Sequence, residues 1–259
     1  MRDPWFPAIL MLLVLLAVWL GIVGPMPEGF TKWLSGWQTL LAASVASLAA
    51  YIAFRNTTRS IEHAAQLEQF RRSRKHVATR VLLSGALAQA KEYAQRSARI
   101  LVDLTYMCRD KVLPADAKIP DTLPAPLPSD ALKALADFIE YADSADVGVV
   151  EGTIKMIQIH DSHVRSVLSD HKDPGRVALR SEIEESIIAA ACVYAGAESG
   201  LEYGRGRADQ LPAAVTWDNV RDALRSMGFP GYSELRERLD DVRGESTGPF
   251  DAFRPRRKT

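Results

Sequence analysis

Cysteine is scarce in this sequence of 259 residues, which contains only Cys108 and Cys192. Both lie in apolar segments with helical spacing, so the sequence predicts core thiols in a reducing compartment and no disulfide framework. The neighbours of Cys192 are Ala191 and Val193. We expect this apolar setting to raise the pKa of the Cys192 thiol and make it a poor nucleophile.

Stretches in which apolar and polar residues alternate with a period of two are also lacking, and we therefore predict no strands. Helix-breaking residues are rare in part of the chain, since residues 42–112 contain one glycine, Gly85, and no proline. Such a segment allows one long helix that reaches Val112. The sequence predicts an all-α fold.

The chain has no net charge, because 32 Lys and Arg residues are balanced by 32 Asp and Glu residues. This balance argues against a dedicated nucleic-acid-binding protein. The charges are unevenly distributed: residues 55–112 hold 12 basic and 5 acidic side chains, whereas residues 113–259 hold 18 and 25. This separation is typical of a chain with its basic part near anionic lipid and its acidic part in water.

Two uncharged apolar runs, residues 5–23 and 33–54, precede the basic region. Each is long enough to cross a bilayer as a helix, and the short loop 24–32 between them is rich in Pro and Gly. The sequence predicts a two-helix transmembrane hairpin over residues 1–54. The alternative for the first run is a cleaved signal peptide, but Arg2 is offset by Asp3 and no small-residue cleavage motif follows. Tryptophans mark the ends of the runs as interfacial anchors: Trp5, Trp19, Trp33 and Trp37.

The orientation of the hairpin follows from the basic residues that flank it. The loop contains one basic residue, Lys32. A larger set follows the second run, namely Arg55, Arg59, Arg71, Arg72 and Arg74. Because Lys and Arg stay on the cytoplasmic side, we predict an integral protein of the plasma or inner membrane with both termini in the cytoplasm.

The second run carries small residues at helical spacing. In lipid, a small-residue face lets two helices approach closely, so this span is predicted to contact the first helix or to form a homo-oligomer with its own copy. The alternative is that these residues are merely tolerated in an ordinary span. The face consists of Ala42, Ala46, Ala49 and Ala53.

Residues 55–76 are predicted to form a basic helical stalk that continues the second span. Its cluster Arg71–Lys75 has three interpretations: a solvated face that sets topology, a lipid contact, or a nucleic-acid site. In a straight helix, Arg71 would lie roughly 25 Å beyond the membrane, about three Debye lengths, which favours the solvated face. Lipid contact would require the helix to lie along the membrane surface.

Residues 77–243 are predicted to form a cytoplasmic all-α body that packs as an antiparallel bundle of four longer and two short helices. The Pro-rich connection 113–128 is interpreted as an extended spacer, although Pro124–Pro128 is also a weak candidate docking motif. Residues 244–259 are predicted to be a flexible tail. One face of the first helix comprises Leu83, Leu87, Ala90, Ala94, Ala98, Leu101, Leu104 and Cys108.

The remaining helices are placed by their caps and breaks. Ser129 is predicted to cap the second helix, and a break near residues 143–144 to separate it from a third that ends before Asp173. The fourth helix is predicted over residues 177–203. Thr216 and Ser233 are predicted to begin the two short helices.

The best candidate for chemistry is His160-Asp161-Ser162-His163, followed by Asp170 and His171. Imidazoles at i and i+3 on a helix are able to share a metal ion. A third ligand would have to come from another helix, and the candidates are Glu182, Glu184 and Glu185. No His-Glu-x-x-His motif or repeated Glu-x-x-His pair accompanies them, so polar contacts between helices are favoured.

Two further polar segments have plain interpretations. Glu184 and Glu185 are expected to face water. Gly204-Arg205-Gly206-Arg207 is too short for a phosphate loop and follows no strand. We therefore predict no catalytic residue, no metal and no cofactor.

The function predicted from these features is that of a membrane-anchored, non-enzymatic helical protein. Its cytoplasmic body would present a surface for self-association or for an unidentified cytoplasmic protein. The first alternative is a membrane-perturbing effector or pore formed by oligomerised hairpins. It is motivated by the polar residues of the second span, namely Gln38, Thr39, Ser44 and Ser47. The second alternative is a metal-dependent enzyme that uses His160 and His163.

Overall fold

The computed structural model describes residues 19, 30–142, 144–229, 233–244 and 246–253. This part of the chain is helical and contains no strand, which confirms the predicted all-α fold. The first predicted span, residues 5–23, falls outside the described residues except for Trp19, as do most of the loop that follows it and residues 254–259.

The described helices differ widely in length, and the first is by far the longest. They are α1 (Phe30–Met107), α2 (Ser129–Tyr141), α3 (Ser144–Lys172), α4 (Arg180–Gly204), α5 (Trp217–Ser226), α6 (Ser233–Arg243) and α7 (Pro249–Ala252).

The chain divides into two compact units, Met1–Phe70 and Arg71–Thr259. In the first unit, one helix of the described chain is long and apolar enough to cross a membrane, and none of its most apolar window is buried. The large apolar side chains that it exposes up to residue 54 include Leu40, Val45, Leu48, Ile52 and Phe54.

The core of the second unit is built on the predicted face of α1. Leu83, Leu87, Leu101 and Leu104 are fully buried, as are the alanines between them at positions 90, 94 and 98. This residue-by-residue prediction is confirmed, apart from Cys108, which lies beyond the end of α1 and is half-buried. The periodicity sufficed here because one side of α1 packs continuously against the body.

Helix α4 is buried on nearly all sides, and small residues let its neighbours approach closely. A Cβ atom added to Gly200 would lie 2.7 Å from Leu87 Cδ1. A Cβ atom added to Gly204 would lie 3.0 Å from the backbone nitrogen of Ser84. These glycines fix how tightly α1 and α4 pack, because the nearest atoms at Gly204 are backbone atoms that cannot rotate away.

Helix α1 ends at Met107, five residues before the predicted limit at Val112. Asp110 and Lys111 adopt φ values of 49° and 66°, which reverse the chain in a tight left-handed turn. Arg109 and Val112 exchange both backbone hydrogen bonds across this turn, at 2.8 and 2.9 Å. The turn was not predicted, because its residues include neither Gly nor Pro.

The connection from α1 to α2 is packed against the body. Leu113, Leu123 and Ala125 are buried in the core. Leu113 N donates a hydrogen bond to Ala178 O at 2.9 Å, which holds the connection beside the start of α4. Ser129 is the first residue of α2 and does not cap it, since the N-cap position is taken by Pro128.

The predicted flexible tail requires a correction over residues 246–253, which we call the strap. Its short helix α7 buries Pro249, and Phe250 and Phe253 pack against the core. Two aromatic residues and a proline supply enough apolar surface to hold this segment on the body.

Candidate functional site

The side of α1 that turns away from the core carries exposed apolar residues within the second unit. Val77, Val81 and Leu82 are 60%, 69% and 62% exposed. Small exposed residues extend this surface, which we call the outer face, at Ala78, Gly85 and Ala88. A Cβ atom added to Gly85 would meet nothing within 4 Å. Contiguous exposed apolar residues often mark interaction sites, so the outer face is a candidate interaction surface.

His160 is fully buried at the centre of the body, where it joins three helices. Its Nδ1 lies 3.0 Å from the carbonyl oxygen of Ser186 and must donate to it. Its Nε2 lies 2.8 Å from Ser97 Oγ and therefore accepts the hydroxyl proton. The ring of Tyr93 meets the imidazole edge-on at 5.6 Å. Burial lowers the pKa of His160 to about 4, so the ring is neutral near pH 7.

This arrangement does not suit the metal site considered from the sequence. Both nitrogens of His160 are used in hydrogen bonds to protein, so neither offers a lone pair to a metal. His163 is partly buried, its pKa is lowered by burial, and its ring lies 5.9 Å from that of Phe253. Among the described residues, no three His, Cys, Asp or Glu side chains are grouped to hold a metal ion.

The three glutamates proposed as further ligands have other partners. Glu182 accepts a hydrogen bond from Leu179 N at 3.1 Å and caps the start of α4. Glu184, expected to face water, is buried because Arg180 Nε pairs with it at 3.0 Å. Glu185 is partly exposed and pairs with Arg238.

A cavity of about 540 Å³ lies where α6 meets the start of α4. Arg180 pairs with Glu184 and Glu234, and Arg238 pairs with Glu185 and Asp241. These ion pairs balance one another's charge and join α4 to α6, so the cavity offers little net charge to attract a charged ligand. Its lining residues include Lys111, Ser181 and Glu237.

A second buried polar cluster, centred on Tyr203, was not anticipated from the sequence. Tyr203 donates its hydroxyl proton to Asp146 Oδ2 at 3.1 Å, and its hydroxyl oxygen lies 3.3 Å from His76 Nε2. Asp146 Oδ1 accepts from Leu211 N at 3.1 Å. Because both carboxylate oxygens of Asp146 are engaged, this cluster joins α1, α3 and α4 as a structural network.

Arg80 covers this cluster from α1. Its guanidinium lies 4.0 Å from the centre of the Tyr203 ring, within cation–π distance. Its Nε donates to Tyr203 O at 3.0 Å and its Nη2 to Ala208 O at 2.6 Å. The two carbonyls lie at and beyond the end of α4, where a cation is favoured by the helix dipole.

The prediction of a core thiol is confirmed for Cys192 but not for Cys108, which is only half-buried beyond the end of α1. Cys192 is fully buried, and burial raises the pKa of its thiol. Cys108 is partly buried, which also raises its pKa, and its Sγ lies 3.4 Å from Leu104 O. Both thiols are protonated near neutral pH and are poor nucleophiles.

Of the predicted basic segments, Arg71–Lys75 is exposed. Lys75 Nζ donates to the hydroxyl of Tyr141 at 2.7 Å and lies 4.5 Å from the centre of that ring. At the end of α4, Arg205 and Arg207 both pair with Glu202. Gly206 adopts a φ of 72° there, so this segment is a helix terminus and not a phosphate loop.

The strap places one aromatic side chain in a notch between α3 and α4, which we call the Phe250 slot. A Cβ atom added to Gly152 would overlap the ring of Phe250. One added to Gly196 would lie 3.0 Å from Phe250 Cζ. Thr153 closes the base of the slot beside Gly196. Sequence reasoning missed it because its two glycines and its phenylalanine lie on three separated segments.

Comparison with protein-family models, with curated proteins and with solved structures finds no match to this chain.

Proposed function

We propose that this chain is a membrane-anchored, non-enzymatic helical protein whose body presents an apolar surface to a second copy or to a cytoplasmic protein. One observation carries the proposal. None of the most apolar 18-residue segment of α1 is buried within the described structure, although this segment lies in a helix long enough to cross a bilayer. Residues 33–54 contain no charged side chain, so lipid is a suitable cover for them.

The hydrogen bonding of this segment also suits a lipid environment. Ser44 Oγ donates to Leu40 O at 2.9 Å, so its hydroxyl needs no partner outside the helix. In a bilayer every backbone group must be satisfied internally, which a continuous helix achieves. The burial of apolar side chains in lipid is favourable at about 25 cal/mol per Å².

The finer topology is part of the proposal. Residues 5–23 form a first span, the loop 24–32 lies outside the cell, and both termini lie in the cytoplasm. The charge pattern supports this orientation, because basic residues are concentrated after the second run and nearly absent from the loop.

Two features of the body support a binding role and not catalysis. The polar side chains of His160 and Asp146 are buried. Both are hydrogen-bonded to other groups of the protein, and these bonds join helices. The outer face, in contrast, leaves Val81 and Leu82 open to solvent. Exposed aliphatic residues of this size are more readily explained by a protein partner.

The proposal is tested by chemical crosslinking of the full chain in intact membranes. The test variant is V81D/L82D, which places two charges on the outer face. We expect it to reduce crosslinked oligomer or partner complex at least tenfold. The control is Gln158→Asp, which adds a charge at an exposed polar position of another helix, α3. Finding only monomer and no stable partner with the unaltered chain would contradict the proposal.

The rival function is a pore formed by oligomerised hairpins, and Gln38 and Ser47 favour it because both are exposed and polar within the span. Overexpression with a membrane-potential dye separates the two functions. The anchoring proposal predicts unchanged potential and growth. Collapse of the potential, abolished by Gln38→Leu, would favour the pore.

A further inference from the structure

The exposed side of α1 changes character within the second unit. Every exposed residue between positions 77 and 88 belongs to the outer face, and none of them is polar. Every exposed residue between positions 89 and 103 is polar, namely Gln89, Glu92, Arg96, Arg99 and Asp103. The second of these segments has the usual surface of a solvated helix, whereas the first has that of a helix covered by an apolar partner.

The size of the outer face limits what can cover it. Its large side chains are Val77, Val81 and Leu82, and complete burial of one such side chain removes roughly 60–120 Å² from water. Even with its small residues added, the outer face therefore offers only a few hundred Å². A specific partner that binds from solution buries about 800 Å² on each side. The outer face alone is too small for such a partner, so its occupant must be held nearby by another part of the molecule.

A second copy anchored in the same membrane meets this requirement. Anchoring replaces association from solution by an encounter at a high effective concentration, so a small contact is sufficient. Two copies inserted in the same orientation run parallel, and each presents the same residues at the same distance along α1. In this respect the inference rests on the proposed function.

The spacing of residues along α1 also favours a parallel pair. Val77 follows Ala49, and Val81 follows Ala53, by a whole number of seven-residue repeats. Because paired helices wind around each other to keep such a repeat in contact, a helix in register with the small residues of the apolar run is also in register with the outer face. The same two positions of the intervening repeats are partly polar: Asn56, Ser60, His63, Leu67, Phe70 and Arg74.

We propose that two copies of this chain pair in parallel along α1, with the outer face of one copy against the outer face of the other. Gly85 lets the two backbones approach, because nothing lies within 4 Å of the position that its Cβ would take. Leu83 and Leu87 are buried in the core on the other side of α1, so each body lies away from the partner helix. The pairing ends after Ala88, where the exposed residues become polar.

Disulfide formation in intact membranes tests the proposal with the full chain. Cys108→Ser removes the half-buried native thiol, and Val77→Cys or Val81→Cys then places one reactive thiol on the outer face. The matched control in the same background is Gln158→Cys, which places an exposed thiol on α3. Under mild oxidation we expect the outer-face thiols to give at least about fivefold more disulfide-linked dimer than the control. An equal yield from the control would overturn the proposal.

Two differently tagged chains test the parallel direction. One carries Val77→Cys and the other Ala88→Cys, and in a parallel pair in register these positions lie roughly 16 Å apart along the helices. This separation is too large for a disulfide, so we expect at least about fivefold less mixed dimer than from two chains that both carry Val77→Cys. A mixed dimer of equal yield would contradict the parallel pair.

A benzophenone–maleimide attached to the introduced thiol at position 81 identifies any other occupant. Capture of a different protein, without a crosslink between copies, would overturn this inference and leave the proposed function standing. Alkaline carbonate extraction of the same membranes reports anchoring independently, and extraction of the chain into solution would contradict the proposed function itself.

Discussion

Two stretches of the same helix α1 have similar apolar side chains and opposite surroundings. In the first unit, Leu48 is 41% exposed, and the apolar residues around it are exposed too. In the second unit, Leu83 is 0% exposed and lies in a core shared with α4. The second stretch is explained by protein packing alone. Protein packing does not explain the exposed apolar side chains of the first stretch, and this difference is the reason to infer that lipid covers them.

The same contrast recurs across the width of α1 within the second unit. Leu82 and Leu83 are neighbours in sequence, yet one is 62% exposed and the other fully buried. Gly85 faces open space, whereas Gly204 lies against the backbone of α1. Substitutions at Leu82 and Leu83 therefore compare the two sides of α1 directly, and substitutions at Gly85 and at Gly204 of α4 compare its open side with the surface that packs against its inner side.

The largest effect is expected for Leu83→Ala. It removes a fully buried side chain and leaves a cavity, so the free energy of unfolding should fall by about 2–5 kcal/mol. Leu82→Ala is the matched control and should change it by less than about 0.5 kcal/mol. Urea denaturation of the full chain in detergent, followed by circular dichroism, measures both. Equal losses would show that α1 is not packed as described.

The buried His160 should make the second unit sensitive to acid. Its pKa is about 4 when folded and about 6.5 when unfolded, so its stabilising effect is complete above pH 6.5. As the pH falls from 6.5 towards 4, protons bind the unfolded chain first, and about 3 kcal/mol of stability is lost. Partly buried His163, whose pKa is also lowered, adds to this loss.

The variant His160→Gln isolates this contribution. It is expected to be less stable at pH 7 but to lose about 3 kcal/mol less than the unaltered chain between pH 6.5 and 4, as measured by urea denaturation at each pH. An unchanged pH dependence would show that His160 is not the buried neutral imidazole described here.

The smallest stability effects are expected at the glycines. Gly204→Ala should destabilise the body by about 1–3 kcal/mol, because the new methyl group meets backbone atoms of Ser84 at 3.0 and 3.1 Å. Gly85→Ala should stabilise α1 by up to about 1 kcal/mol, since the added methyl group meets nothing. The unfolding temperatures of the two variants should shift in opposite directions. A shift in the same direction would contradict the assignment of Gly204 to a packed surface and of Gly85 to the open side of α1.

Sequence periodicity and capping signals predicted most of the features that depend on a single helix, such as its buried face and its first residue. The buried face of α1, the Thr216 cap of α5 and the start of α6 at Ser233 agree with the structure. Each depends on residues close together in the chain, for which spacing on a helix determines which side faces the core.

The contacts that sequence reasoning missed are those between distant segments. The burial of Glu184 depends on Arg180 and on the packing of α4. The docking of the strap depends on Gly152 and Gly196, which by themselves resemble any other helical glycine. The left-handed turn at Asp110 and Lys111 is set by pairing with the start of α4. Local patterns carry no information about such partners.

The central claim is that the apolar stretch of α1 lies in lipid, whereas its continuation lies in water or protein. Nitroxide labels at single cysteines test it in the membrane-bound full chain. Cys108 is replaced by Ser because its thiol is only half-buried, and Cys192 is left in place because it is buried. We predict that labels at positions 45, 48 and 52 collide readily with oxygen and poorly with a water-soluble nickel complex, and that labels at 61 and 67 show the reverse. Ready collision with nickel at all five positions would contradict the claim.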